Sequence, residues 1–326
     1  MGYIITRENF ASLTSYWAGS TYELNWEPVF VLPVWMETWC QVFGSATEAY
    51  LGVVRQEEEI IGIAPLVISD RTASIIGDAD VCDYLDFIVA PGQERAFFNV
   101  LLDDLGQKGV NHLDLKPLRP DSTVINELVP VAEKRRYDVH YSREDVSLEL
   151  ALPATWDDYL GLLVPKQRHE VKRKLRRLEE AGNVGYRFVE DQESVNKAMD
   201  TFLKQFTESR EEKAEFLTTQ MESFFRLVFK AMAGMGLLRL GILELDGAPA
   251  AMIMTFDYQD CVYLYNSGYD PQYRSLSVGL LSKVLCVRDS IQRGRKRFDF
   301  LKGGESYKYH IGGREIPLYN CQISFR

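Results

Sequence analysis

Apolar and polar positions along this chain repeat with two different periods. In YLGVVRQEEEIIGIAPLVIS (50–69) two apolar runs flank a charged turn, the pattern of strand–turn–strand, with Gly62 and Pro65 as punctuation. SIIG (74–77) and LDFIV (85–89) read as further strands. In ERAFFNVLLDDLGQKG (94–109) the period changes: Phe97, Val100, Leu101 and Leu105 recur at helical spacing, and Gly106 and Gly109 close the segment. HLDLKPL (112–118) returns to a strand. The second half repeats the order. LRLGILELDGAPAAMIMTFDY (238–258) is strand, Asp-Gly turn, strand; CVYLYNSGYD (261–270) is a strand; LSVGLLSKVLCVRDSIQRG (276–294) is a helix; RFDFLKG (297–303) is a strand. The Leu-Gly pairs at Leu51 and Leu240 are 189 residues apart, and Asp114 and Asp299 are 185 apart. A near-constant offset points to a duplicated α/β unit; the alternative is two unrelated α/β halves.

Between the halves, YSREDVSLELALPATWDDYLGLL (141–163) predicts a strand and a short capped helix. A helix over 165–181 then begins at Pro165 and stops at Gly182, with Val171, Leu175 and Leu178 forming a narrow apolar stripe. Segments 191–209 and 216–233 complete an α-rich stretch. The expected fold class is therefore α/β (α+β). Two domains are expected, 1–145 and 146–326, each a mixed, mostly antiparallel sheet flanked by helices.

Composition narrows the class. An apolar fraction of 46% with 26% charged residues is that of a soluble globular protein. No run approaches the roughly 20 apolar residues of a membrane span. The start, MGYIITRENFASL, has no basic patch followed by an apolar core, so a cytoplasmic location is expected. Five scattered cysteines (40, 82, 261, 286, 321) form no close pair; they predict buried thiols and no metal site. His112, His140 and His169 show no ligand spacing. The net charge of −10 is uneven: residues 1–150 hold 11 Lys+Arg against 24 Asp+Glu, and residues 151–326 hold 26 against 23. An anionic ligand should prefer the second half.

Candidate chemistry gathers there at two places. Arg274, Ser275, Ser277, Val278 and Gly279 lie where strand 261–270 passes into a helix, so its first free amides, small residues and a guanidinium suit phosphate oxygens. A Ser cap beside a solvated Arg is the plainer reading. Just past strand 297–303, GGESYKYHIGG brings Glu305, Tyr307, Lys308, Tyr309 and His310 into six residues. A surface ion pair with packing tyrosines is the alternative, and His310, beside a Gly-Gly turn, is read as structural. Helix 165–181 holds seven Lys/Arg between Lys166 and Arg177; Arg168, Lys172 and Arg176 share one face that fits an elongated anion or a solvated surface. Tyr265 and Asn266, ending the strand, are acceptor-contact candidates. Nucleic acid is disfavoured by the overall charge and the lack of interleaved aromatics.

The strand, R-x-x-S-x-G loop, helix and strand resemble the acyl-CoA core of the GNAT acyltransferase superfamily. Its loop runs R/Q-x-x-G-x-G/A; here Ser277 stands at the first glycine and Gly279 at the last. The stretch with Asp299, Gly304, Glu305, Tyr307, Lys308, Tyr309 and Gly312 resembles the C-terminal signature of the CelD/BcsL-type branch, related to FemAB-like transferases with two GNAT domains. The likeness spans about residues 155–315. It implies tandem GNAT domains, the first acidic and degenerate, the second with the acyl-CoA site.

It further implies an acyl-CoA-dependent N- or O-acyltransferase using acetyl-CoA or another acyl-CoA and no metal. A cell-envelope or polysaccharide-type precursor, or another small molecule, is the implied acceptor. In that reading Tyr307 protonates the leaving thiol, Lys308 stabilises charge or holds the acceptor, Glu305 is a base or orients Lys308, and the 274–279 loop binds the cofactor. Arg168, Lys172, Tyr265 and Asn266 face the acceptor. Two rivals remain: a FemAB-like aminoacyl-tRNA-dependent transferase, and a non-catalytic binding or assembly protein on a degenerate scaffold. Oligomeric state is not legible.

Overall fold

The computed structural model describes residues 2–19, 23–44 and 48–325. Two compact units emerge: Met1–Val146 with Ile316–Arg326, and Ser147–Glu315. The expected second domain ran to the end of the chain, whereas the last strand groups with the first unit because it pairs there, Tyr319 with Leu118 through Ser324 with His112.

The first unit contains β1 (Tyr3–Arg7), α1 (Phe10–Ala18), α2 (Pro33–Phe43), β2 (Glu48–Gln56), β3 (Glu59–Ser69), β4 (Thr72–Ile75), β5 (Ile88–Val89), α3 (Glu94–Gln107), β6 (His112–Leu118) and α4 (Val129–Lys134). The long strand β7 (Asp138–Ala151) begins here. The sheet runs β1-β2-β3-β4-β6, then the chain's last strand, Arg314–Ser324, then β7, with β5 beside β3. Up to that last strand its pairings are antiparallel apart from β4 with β6. Phe87, Phe97 and Phe98 meet edge-on in the core, with ring centroids 5.1–5.9 Å apart.

Ser147–Ala151 of β7 opens the second unit. There follow α5 (Trp156–Leu162), α6 (Pro165–Ala181), β8 (Val184–Val189), α7 (Gln192–Ser209), α8 (Glu211–Phe216), α9 (Thr219–Gly234), β9 (Leu238–Leu245), β10 (Ala248–Tyr258), β11 (Cys261–Tyr269), α10 (Val278–Gln292), β12 (Arg297–Lys302) and α11 (Ser306–His310); the last strand, β13 (Arg314–Ser324), returns to the first unit from Ile316 on. The sheet order is β7-β12-β11-β10-β9-β8. Again one pair is parallel. β11 and β12 match only from Cys261/Arg297 to Tyr263/Asp299, although both strands run on. Their carboxyl ends therefore part, and α10 connects them. This helix is buried on nearly every side, and Val278, Leu281 and Leu285 share one core cluster with Leu178 of α6 and with Leu243 and Ala251 of the sheet. The order strand, strand, strand, helix, strand occurs in both units, as the offset in the sequence implied.

All five cysteines are free thiols; Cys82, Cys261, Cys286 and Cys321 are buried and Cys40 is partly so. Among the described residues no helix is long and apolar enough to cross a membrane.

Candidate active site

A cavity of about 250 Å³ opens where β11 and β12 part. Local chemistry builds its first wall. Asp270 accepts a hydrogen bond from the Gln272 amide (2.9 Å) and caps a 3₁₀ turn over Pro271–Leu276. The turn ends at Ser277, held left-handed (φ 60°, ψ 33°), and α10 starts at Val278. A side-chain-bearing residue in that conformation costs about 1–2 kcal/mol. The Val278 and Gly279 amides are those a helix start leaves without intrahelical partners. Gly279 is small for a packing reason: a Cβ there would lie 2.8 Å from the Tyr269 ring.

Close contact also sets the second wall. A Cβ on Gly268 would fall 2.4 Å from the Gln205 and Phe206 backbone, so α7 lies directly on β11. Its end and the start of α8 thereby deliver Ser209, Arg210 and Lys213 to the cavity. Lys213 Nζ donates to the Ser267 carbonyl and sits 4.7 Å from the Phe206 ring centroid. Beyond β12, Glu305 and Tyr307 complete the lining, and Lys283 reaches in from α10.

The charges here are unusual. Lys283 is 7% exposed, and its Nζ donates to the Gly279 carbonyl at 2.7 Å. Burial, helped by Lys213 and Arg210, lowers its pKa to about 7. Lys213 falls to about 8 by burial and the nearby Arg210. Burial, reinforced by the Glu305 charge, raises the Tyr307 phenol well above its usual range. Burial works against ionised Glu305, but Lys308 outweighs it and holds the carboxyl below the usual range. The cavity can thus attract an anion and contains groups able to give and take protons.

Residues 165–309 match the family model of the GNAT acetyltransferase domain. The chain superposes on FemX with a TM-score of 0.67 at 11% identity, covering 97% of this chain and 96% of FemX. A tandem GNAT protein from the clavulanic acid biosynthesis pathway gives 0.50 at 14% identity over 98% of each chain. The C-terminal domain of a putative lysylphosphatidylglycerol synthetase from Agrobacterium fabrum gives 0.56 at 10% identity, over 85% of this chain and 83% of that one. A comparison with curated protein sequences finds no match. Residues 165–309 carry the GNAT domain, and over nearly its whole length the chain has the fold of FemX and of the tandem GNAT protein.

In the second GNAT domain, Arg274, Ser277, Val278, Gly279, Glu305 and Tyr307 come together around the cavity, while Ser275 is exposed outside its lining. Lys308 does not line it. This lysine is 2% exposed, and its Nζ donates to the carbonyls of Leu301 (3.0 Å), Lys302 (2.6 Å) and Gly303 (3.0 Å) and pairs with Glu305 at 2.8 Å. It ties the β12–α11 turn together, a structural engagement that the expected catalytic role did not include. Tyr265 is also elsewhere, against Phe225, Phe229 and Phe256 with centroids 5.2–6.1 Å away. Asn266 lies outside the lining, opposite Met254 beside a bulge of β11 at Tyr265. On α6, Arg168 donates to the Leu163 carbonyl at 3.3 Å and Lys172 is exposed; neither lines the cavity.

Sequence reasoning missed Arg210, Lys213, Tyr269 and Lys283. For Lys283 a signal existed: it is the lone cation in LSVGLLSKVLCV, the apolar first half of α10. Arg210 and Lys213 had none, since only the contact at Gly268 brings them in. Among the described residues no group of three or more His, Cys, Asp or Glu is placed to hold a metal ion.

Proposed function

We propose that the second GNAT domain is an acyltransferase taking its acyl group from an acyl-CoA. The group passes to a nitrogen or oxygen of a small acceptor of the cell-envelope or polysaccharide-precursor type. One observation carries the reading: a cation-lined cavity lies between the parting parallel strands, with the start of α10 at one side and Tyr307 at the other. Arg274, the Val278 and Gly279 amides and, on the outer edge, Ser275 suit the donor's phosphates. The cavity's size suits the thioester arm, leaving the nucleotide outside. The bound donor supplies an activated acyl carbon. Tyr307, kept as a neutral phenol by burial and Glu305, has a proton to give to the leaving atom. Holding both substrates together supplies much of the remaining rate.

A second reading, transfer from an aminoacyl-tRNA, is favoured by the FemX-like fold over nearly the whole chain and by Ser277 at a loop glycine position. A thermal-shift titration with acetyl-CoA, CoA and charged tRNA separates the two. For the first reading acetyl-CoA stabilises the protein and Arg274→Ala weakens that effect. Over an acceptor library, Tyr307→Phe should lower kcat about 10²–10⁴-fold, the usual worth of a general acid. Unchanged turnover in Tyr307→Phe would remove that residue's role, and an absence of wild-type turnover over the library would return the chain to the non-catalytic binding or assembly class.

A further inference from the structure

Two buried lysines flank the β11–β12 opening, and their surroundings differ in kind. An ammonium has three hydrogens to place and no acceptor capacity. Lys308 meets three carbonyls and a carboxylate, so every hydrogen is matched. Lys283, on the cavity wall, meets one carbonyl, that of Gly279. Among the described residues no carboxylate lies within ion-pair distance of it. The charged groups facing it are Lys213 and Arg210 from the α7–α8 side, and Glu305 and Lys308 from the β12–α11 turn. Three of those four are cations. A neutral amine, with one hydrogen on Gly279 and a lone pair free for the cavity, suits this site better than an ammonium, which has only the Gly279 carbonyl and the Tyr307 ring face to set against three neighbouring cations. The Tyr307 ring centroid is 5.0 Å from the same nitrogen.

We infer that Lys283 is the proton acceptor for the attacking group in acyl transfer. The step rests on the acyltransferase reading above and balances as follows. The acceptor's nitrogen or oxygen forms a bond to the acyl carbon, and its proton passes to Lys283 Nζ. The bond from that carbon to the leaving atom breaks with its electron pair, and that atom takes the proton of Tyr307 Oη. Return of a proton from Lys283 to Tyr307 restores both groups, so the acceptor's proton ends on the leaving thiol. The depressed affinity of Lys283 for its proton, with a midpoint at about pH 7, suits a base working near neutrality.

Two measurements test this. Pulse acetylation of the protein alone with acetic anhydride from pH 6 to 10.5, read by peptide mass spectrometry, reports each lysine's free-amine fraction. Lys283 should show its inflection near 7, while exposed lysines rise near 10. An inflection near 10, or no modification of Lys283 across the range, overturns the inference. In the second, Lys283→Met should bind acetyl-CoA as wild type does, lose about 10²–10⁴-fold in kcat, and lose the rising limb of the pH–rate profile near 7. Turnover within threefold of wild type, with that limb intact, also overturns it. Failure of wild type to bind acetyl-CoA counts against the donor assignment, while the labelling curve still decides Lys283.

Discussion

Lys308→Met should break the fold of the β12–α11 turn before it touches chemistry. The chain here turns through two left-handed residues, Leu301 (φ 62°) and Gly303 (φ 103°), which lets three consecutive carbonyls converge on one nitrogen. Methionine fills the volume but offers no donor. Three carbonyls then face one another unmatched, and Glu305 loses its partner at 2.8 Å. Removing one member of a buried pair costs about 3–5 kcal/mol. The Glu305 side chain is 43% exposed and regains water, so the lower end, about 3 kcal/mol, is expected. For a unit of this size that lowers Tm by about 6–12 °C. Thermal unfolding gives the total, and hydrogen exchange of peptides spanning 297–313 shows that the loss begins in this turn. The wild-type pair also sets a pH signature. Its Glu305 carboxyl is held below the usual range, so its contribution is present above the unfolded carboxylate value and fades as pH falls through the lowered folded one. That acid limb should vanish in the variant. A Lys308→Met protein that melts within a degree of wild type, keeps its exchange protection and yet loses turnover would refute this reasoning and restore the lysine to the reacting groups.

Lys283→Met should do the opposite to stability. A lysine whose folded value is about 7 against 10.5 unfolded weakens the fold most below pH 7, and the penalty shrinks as pH rises from 7 to 10.5. The shift corresponds to at most about 5 kcal/mol; Tm of the variant should exceed wild type most at pH 6, and a pH-independent gain would contradict it. Ser277→Gly removes a left-handed side chain at φ 60° and should add about 1 kcal/mol, a rise of about 2–4 °C by calorimetry. A lower Tm would mean that the serine hydroxyl contributes more than its backbone costs.

Elements with strong local chemistry were legible. Pro165 and Gly182 bracket α6, Thr155 caps α5 through the Asp158 amide, and α10 begins and ends within two residues of its predicted limits. The repeat was legible because each copy carries its own strand–turn–strand and helix periods. The last strand's allegiance was not: REIPLYNCQIS has a strand's composition, but nothing local says which sheet it joins. The cavity was half legible for a related reason. Arg274, Ser277, Glu305 and Tyr307 follow directly on the ends of β11 and β12, where the parting of parallel strands forces a crevice. Arg210 and Lys213 lie dozens of residues upstream and arrive through a packing contact. Lys308 looked like a reacting group because its neighbours are tyrosines; its role depends on the dihedrals of Leu301 and Gly303, which the residue types only hint at.

The two copies of the helix start bear on why one domain would hold a donor and the other not. In the first GNAT domain, α3 opens with Glu94, whose carboxylate accepts the Gly92 amide at 3.1 Å. The place an incoming phosphate would seek is already taken by the chain's own anion. In the second domain the first turn of α10 has no acidic residue, Arg274 precedes it, and Lys213 stands across the opening with no ion-paired carboxylate among the described residues. Both units step from strand to helix to strand, with different cap conformations at Gln93 and Ser277; side-chain charge at the helix turn then separates a self-satisfied scaffold from a pocket that lacks an anion. Glu94→Gln in the first domain should therefore leave acetyl-CoA binding unchanged, whereas Arg274→Ala should weaken it. Equal loss in both, measured by titration calorimetry, would mean that the copies share the donor's charge and that this division of labour is wrong.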